Sequence, residues 1–240
     1  MKQIIIPEDC TRAILLLSGG IDSTTVLAAL AARQVEVLAL IFDYGQRLQD
    51  ELEYALENAG TYGAAAIMLR SHLDDLLTGN AITNVALDLP ELRTTDQIAA
   101  AGTPPSYVPF RNGIFFAYAV ALAEQEGVPY IFGGCNGLAS GNYPDDTEDF
   151  AYAMTGAARH GTAPDFKPTI LVPLARHTKA EVVAAGLALG VDYERTTSCY
   201  LDLFEREHPE VARHCGWCDS CVQRAEAMAA NGLTIDGGLP

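Results

Sequence analysis

Ser18-Gly19-Gly20-Ile21-Asp22-Ser23-Thr24-Thr25 stands between an apolar run, Ala13 to Leu17, and an Ala/Leu-rich stretch, Val26 to Ala32. That order reads as strand, tight loop and helix. Two adjacent glycines let the backbone come close to an anion. The start of a helix adds unpaired N–H groups and a positive dipole end, and the loop hydroxyls add donors. The stretch is therefore a nucleotide grip. It has neither the lysine of a Walker A loop nor the glycine spacing of a dinucleotide fingerprint.

Working outward, strand-like runs recur at Ala13–Leu17, Val35–Phe42, Ala65–Leu69 and Tyr130–Gly133, and helical segments fall near Thr24–Arg33, Gln49–Tyr62, Asn112–Glu126 and Lys179–Leu189. Strands alternating with helices predict an α/β fold, a Rossmann-like parallel sheet covered on both faces. Ligands of such sheets bind beyond the carboxyl ends of the strands, so the loops beginning at Ser18, Asp43, Gly133 and Pro173 should converge. Leu73 to Ser106, without clear periodicity, reads as a mobile excursion near the site. The last residues, Gly237 to Pro240, are expected to fray.

A chain of 240 residues, 49% hydrophobic and 19% charged, can bury one full core. The expectation is a single α/β domain over residues 1–195 with a small segment, 196–240, packed on the same core. No apolar run is long enough for a membrane span, and the N-terminus is interrupted too early for a signal peptide, so the expected location is the cytoplasm. The net charge of −16 and the absence of clustered Lys/Arg argue against a nucleic-acid partner. Positive potential for a nucleotide must then come from a divalent metal, the loop amides and placed cations such as Arg111 and Lys179.

Cys215, Cys218 and Cys221 stand at x2 intervals, with Cys199 upstream. Such spacing suits a tetrahedral zinc, the x2 loops wrapping one ion and the distant ligand stapling the preceding segment. Disulfides or isolated buried thiols are the alternatives. Four cysteines leave zinc no open position for water, so the metal is expected to be structural. Cys10 and Cys135 fall outside the spacing and read as packing residues, with a reactive role the alternative for Cys135, which follows a strand in a loop facing the site. His208 and His214 read as surface histidines.

Taken together, the loop, the cysteines and several motifs between them resemble the 7-cyano-7-deazaguanine synthase family. The landmarks are Ser18 to Ser23, Phe42-Asp43-Tyr44-Gly45-Gln46-Arg47, Tyr107-Val108-Pro109 with Arg111-Asn112, Tyr143-Pro144-Asp145, Thr178-Lys179-Ala180-Glu181 and Ser198-Cys199-Tyr200, with the three C-terminal cysteines. The resemblance implies a fold of the PP-loop ATP pyrophosphatase type (the adenine nucleotide alpha hydrolases) with a zinc-bound C-terminal segment, and commonly a homodimer. It also implies a ligase using ATP and magnesium. The carboxylate of 7-carboxy-7-deazaguanine is joined to AMP, pyrophosphate departs, ammonia attacks, and a second ATP carries the amide on to the nitrile.

In that scheme ATP meets Leu17, Ser18, Gly19, Gly20, Ile21, Asp22, Ser23, Thr24, Phe42, Tyr44 and Gln46. The acid substrate meets Arg47, Arg111, Asn112, Asn136, Tyr143 and Asp145. Ser18, Asp22, Ser23, Arg111 and Lys179 carry the chemistry. Asp22 serves either as a magnesium ligand or as a helix-capping acid. Lys179, at a helix start where a cation is disfavoured, either meets phosphate or points into solvent.

The match breaks at Asn136 to Thr147, where the family's Asp-Tyr-Ser-Gly-Tyr-Pro-Asp-Cys-Arg has become Ala139-Ser140-Gly141-Asn142-Tyr143-Pro144-Asp145-Asp146-Thr147. Phe110 also replaces a glycine, and Thr197 an aromatic. Changed partners for a buried base change specificity steeply. Nitrile formation is the default outcome. A paralogue that joins the acid to an amine of a protein, as in antiphage defence, is the second reading, and an ATP sensor without turnover the third. A sulfur-transferring tRNA enzyme conflicts with the acidic charge.

Overall fold

The computed structural model describes residues 2–136, 142–201 and 214–238, so positions 137–141, His208, Leu239 and Pro240 lie outside the described residues. Apolar runs form five strands: β1 (Arg12–Leu16), β2 (Glu36–Asp43), β3 (Ala65–Arg70), β4 (Tyr130–Phe132) and β5 (Thr169–Leu171). They lie in the order β3-β2-β1-β4-β5 and every neighbouring pair is parallel. Strand order reverses between β1 and β4, which makes that junction the natural ligand crevice.

The helices are α1 (Ile21–Ala32), α2 (Asp50–Thr61), α3 (Leu73–Leu76), α4 (Thr95–Ala100), α5 (Arg111–Glu126), α6 (Glu148–Gly161), α7 (Lys179–Ala188) and α8 (Asp219–Ala229). Sequence reading found neither β5, whose three residues are too few to show a period, nor α6 and α8, whose buried stripes are narrow. Alternation along the strands sorts the core into two layers. Leu15 and Ile41 join α1, α2, α7 and α8 on one face, while Ile14 and Leu40 join α5 and α6 on the other. Residues Ile21 and Ser23 to Leu30 of α1 are all buried, because the helix lies between the sheet and α7 and has almost no solvent face.

The described residues beyond 195 pack on this framework. Ala227 and Met228 of α8 join the α1 face of the core. Arg224, fully buried, donates to Tyr193 O (2.9 Å), Thr196 Oγ1 (3.0 Å) and Ile235 O (2.6 Å). Buried donors need such partners, so this side chain pins α8 to the segment leading to Thr197. Tyr193 in turn shares a 2.9 Å hydrogen bond with Thr25 of α1.

The excursion from Leu73 to Ser106 is more built than its composition suggests. Asn80, buried, receives the N–H groups of Ile82 and Thr83 on Oδ1 (both 3.0 Å), and Thr94 and Gln97 close a reciprocal capping box on α4. The Arg93 guanidinium grips both carboxylate oxygens of Asp219 at the start of α8, and Leu92 N–H donates to Trp217 O (2.9 Å). The C-terminal residues expected to fray also fold back as far as they are described: Thr234 N–H donates to Gly238 O (2.8 Å) and Asp236 meets His214. Among the described residues no helix is long and apolar enough to cross a membrane.

Candidate active site

A cavity of about 290 Å³ opens beyond the carboxyl ends of β1, β2 and β4. Leu17, Ser18, Gly20, Ile21, Asp22 and Ser23 form one side, Phe42, Tyr44 and Gln46 a second, and Arg111, Asn112, Asn136 and Tyr143 a third. The chain after β5 reaches it through Lys179 rather than Pro173.

The loop after β1 is shaped for close approach. Ser18 N–H donates to Ser23 Oγ (3.2 Å), and the two seryl oxygens stand 3.1 Å apart. No side chain caps α1, whose N-cap is Gly20, so its first-turn N–H groups are available to an anion. Gly19 adopts φ +74°, and a Cβ there would stand 2.5 Å from Glu51 O and 2.8 Å from Ala55 N. Gly19→Ala therefore adds left-handed strain to a backbone clash with α2. A loss of at least about 2 kcal/mol is expected, read as a fall in Tm of roughly 4–8 °C. Gly134, following β4, packs so closely that a Cβ would stand 2.7 Å from Ser23 N.

Asp22 and Lys179 form a 2.5 Å ion pair across the start of α1 and the start of α7. The lysine thus has an anion beside it and is only 20% exposed, which removes the solvent-pointing alternative. Asp22 Oδ1 is buried with no hydrogen-bond partner. An orphaned carboxylate oxygen beside free helix amides fits a hydrated cation carried with phosphates.

Arg111 starts α5. Its Nη1 donates to Tyr44 O–H (2.9 Å), with the guanidinium carbon 5.3 Å from the Tyr44 ring centre. Burial disfavours its charge, but Tyr44, Asp145 and Glu51 together hold it on. Burial pushes Tyr44 up to about 12, so this phenol stays protonated. Asn112 N–H donates to Asp145 Oδ2 (2.9 Å), which makes Asp145 a partner of the helix start rather than part of the cavity wall. Phe110, immediately before, holds the left-handed conformation (φ 55°) that the family's glycine would adopt freely.

One expected contact lies elsewhere and another is already engaged with the chain. Arg47 does not line the cavity: its guanidinium donates to Asn84 O (2.7 Å) and Leu87 O (2.6 Å) and ties the excursion down. Gln46 lines it, yet its amide is engaged with the chain, donating to Phe42 O (3.2 Å) and Glu51 Oε1 (2.7 Å) and accepting from Tyr44 N–H (2.9 Å). Gly19 and Thr24, also expected at ATP, do not line the cavity: Gly19 O accepts from Thr197 N–H (3.1 Å), and Thr24 is buried in α1.

Sequence reading missed Glu51, Ser106, Asp146, Tyr200 and Gln223, all of which line the cavity. Ser106 and Tyr143 hydroxyls stand 2.6 Å apart and Tyr143 and Tyr200 3.3 Å, joining the excursion, the 142–147 turn and the cysteine segment at one wall. Cys135 also lines it, but burial and Asp146 raise its thiol well above the ordinary range, which keeps it protonated.

The Sγ atoms of Cys199, Cys215, Cys218 and Cys221 all lie within 4.8 Å of one another, and all four residues are buried. Cys215 and Cys221 are 3.7 Å apart, close to the edge of about 3.8 Å that a tetrahedron of 2.3 Å zinc–sulfur bonds requires. The donor set fits a closed zinc site. His214 is not the surface histidine expected: it is 3% exposed, with Nδ1 2.8 Å from Asp236, and burial lowers its pKa to about 4.

Comparison with known proteins identifies the family. The profile of the family described as "Queuosine biosynthesis protein QueC" matches residues 12–232. The 7-cyano-7-deazaguanine synthase of Kineococcus radiotolerans is 40% identical, covering 92% of this chain and 95% of that protein. Those of Rhodopirellula baltica (38%; 93% and 90% covered) and Geotalea daltonii (40%; 93% and 94%) are similarly close. An NMN synthetase structure from Francisella tularensis covers 82% of this chain and 72% of that one at TM-score 0.46 and 17% identity, a likeness too distant to carry weight. On the match across residues 12–232 and these relatives, the chain belongs to the family of the queuosine biosynthesis protein QueC.

Proposed function

We propose that this protein adenylates the carboxylate of 7-carboxy-7-deazaguanine, releases pyrophosphate, amidates the acyl-adenylate with ammonia and carries the amide to the nitrile 7-cyano-7-deazaguanine with a second ATP. It is an ATP-dependent C–N ligase of the same kind as its relatives. The observation that carries the substrate reading is the shared cavity: an uncapped helix start with a lysine–aspartate pair faces a guanidinium held on a phenol ring.

A carboxylate is a poor acyl donor because oxide would have to leave. Transfer to AMP supplies a phosphate leaving group, and the N–H groups opening α1 hold the departing pyrophosphate as its charge develops. Lys179 exchanges its Asp22 partner for phosphate oxygens. Asp22, released, would hold a magnesium ion, which when bound neutralises phosphate charge. Arg111, with its forked donors, pairs the acid or the adenylate phosphate. In the second round the amide oxygen becomes the nucleophile on ATP and leaves with AMP as the C≡N bond forms. Cys199, Cys215, Cys218 and Cys221 would hold zinc as a structural tie.

Asp146 favours a second reading. It puts a carboxylate on the cavity wall, accepting from Asn136 N–H (3.3 Å), where the family has cysteine. A changed group on that wall would change the acceptor or the second step, and an amine of a protein is the alternative acceptor. Incubation with ATP, the acid and ammonium is expected to release pyrophosphate and give nitrile by mass spectrometry. Pyrophosphate without nitrile, with the acid's mass added to a co-expressed protein, selects the second reading. ATP binding without pyrophosphate release overturns both in favour of a sensor.

A further inference from the structure

We propose that Glu51 binds the ammonium that supplies the nitrogen and takes its proton as it attacks the acyl-adenylate. This rests on the ligase reading above and names the acceptor site within it. Glu51 is the second residue of α2, on the cavity wall, and the first turns of that helix touch the phosphate loop at Gly19. One carboxylate oxygen is fixed by Gln46 Nε2 at 2.7 Å, and Gln46 is itself fixed by Phe42 O and Tyr44 N–H. The carboxylate is thereby pre-oriented. Among the described residues no ion pair engages it.

A carboxylate in a cavity built for phosphates and an acid repels both unless it has a cation of its own. Of the neighbouring cations, Lys179 is paired with Asp22, and Arg111 attracts Glu51 from across the cavity but gives its hydrogen bond to Tyr44, so no cation touches the carboxylate among the described residues. Ammonium is small, cationic and a donor in every direction, and it must lose a proton before its nitrogen can attack. The groups facing Glu51 are Arg111 from α5 and Tyr44 after β2, with Gln46 as its hydrogen-bond donor. Burial outweighs the pull of Arg111 and of the Gln46 hydrogen bond and raises the Glu51 carboxyl to about 7, close to the working pH that suits a general base.

The step balances. Ammonium gives one proton to Glu51 and its nitrogen pair forms the C–N bond. The C–O bond to AMP breaks with its electron pair on the AMP phosphate, and a second N–H proton leaves for that phosphate or solvent as the amide forms. Glu51 then returns its proton to solvent.

Glu51→Gln keeps the shape and the Gln46 contact but removes the base. Three readouts separate the possibilities: acid-dependent exchange of labelled pyrophosphate into ATP, amide formation with ammonium, and hydroxamate formation with hydroxylamine, which is already neutral at neutral pH. Expected is a fall of about 10²-fold or more in the ammonium reaction, with exchange and hydroxamate formation within about threefold of wild type. An equal fall in all three overturns the proposal and makes Glu51 a determinant of ATP, magnesium or folding. An unchanged ammonium reaction overturns it too. Absence of exchange in the wild-type protein is a separate result, since it refutes the ligase reading itself.

Discussion

Lys179→Ala is expected to lower kcat/KM for acid-dependent pyrophosphate release by about 10²–10³-fold, the range for removing one pre-organised group from developing transition-state charge. The variant loses the cation that phosphate would meet, and before ATP and magnesium bind it leaves Asp22 an unpaired carboxylate. Folding should survive. Helix α7 is already closed by a capping box, with Glu181 N–H on Thr178 Oγ1 (3.2 Å) and Thr178 N–H on Glu181 Oε2 (2.8 Å), and a cation at a helix start opposes the dipole. Tm should therefore shift by less than roughly 4 °C, about 1 kcal/mol for a chain of this size. Lys179→Arg should recover part of the rate. Loss of rate that merely follows loss of folded protein would make the pair structural.

Removal of zinc should have the largest effect on stability. Structural zinc supplies about 10–16 kcal/mol of binding energy in zinc-finger peptides. Forfeiting even about 5 kcal/mol here would lower Tm by roughly 10–20 °C. The physical route to the active site is short. Cys199 follows Thr197, whose N–H donates to Gly19 O (3.1 Å) in the phosphate loop, and it lies between Ser198 and Tyr200, both on the cavity wall. Cys218 precedes Asp219, the partner of Arg93 in the excursion. Chelation or Cys221→Ser should thus lower thermal stability and pyrophosphate release together, with one zinc per chain in the intact protein by elemental analysis. A metal-free protein with unchanged Tm and rate would refute a structural zinc.

The excursion shows why composition misleads about order. Thr, Asp, Pro and Ala give it no period, yet particular polar residues answer backbone groups: Asn80 takes two N–H groups, Thr94 caps α4, and Arg47 ties down two carbonyls. Order here comes from local hydrogen bonds, a clamp on α8 and scattered apolar anchors such as Leu73 and Ile82, whose spacing forms no periodic stripe. His214 was misread for a related reason. Polarity alone predicts a surface position, whereas Asp236 offers a partner that only folding brings near.

What the sequence by itself determined is whatever is written within a turn or two of chain. The glycine turn and hydroxyls between an apolar run and a helix specify the phosphate loop, alternating runs specify a parallel sheet, and the x2 spacing specifies a thiol cluster. Each is local because neighbouring residues share a few dihedrals. Tertiary structure alone decided the pairings: Lys179 with Asp22 across 157 positions, Arg224 beneath Tyr193, Thr197 on Gly19, and Glu51 turned toward the cavity. Such contacts join segments far apart in the chain that come together where α1 packs against α2 and α7, and α7 against α8. Their partners are chosen by burial, where an unpaired charge or amide is costly, and no spacing along the chain records that choice.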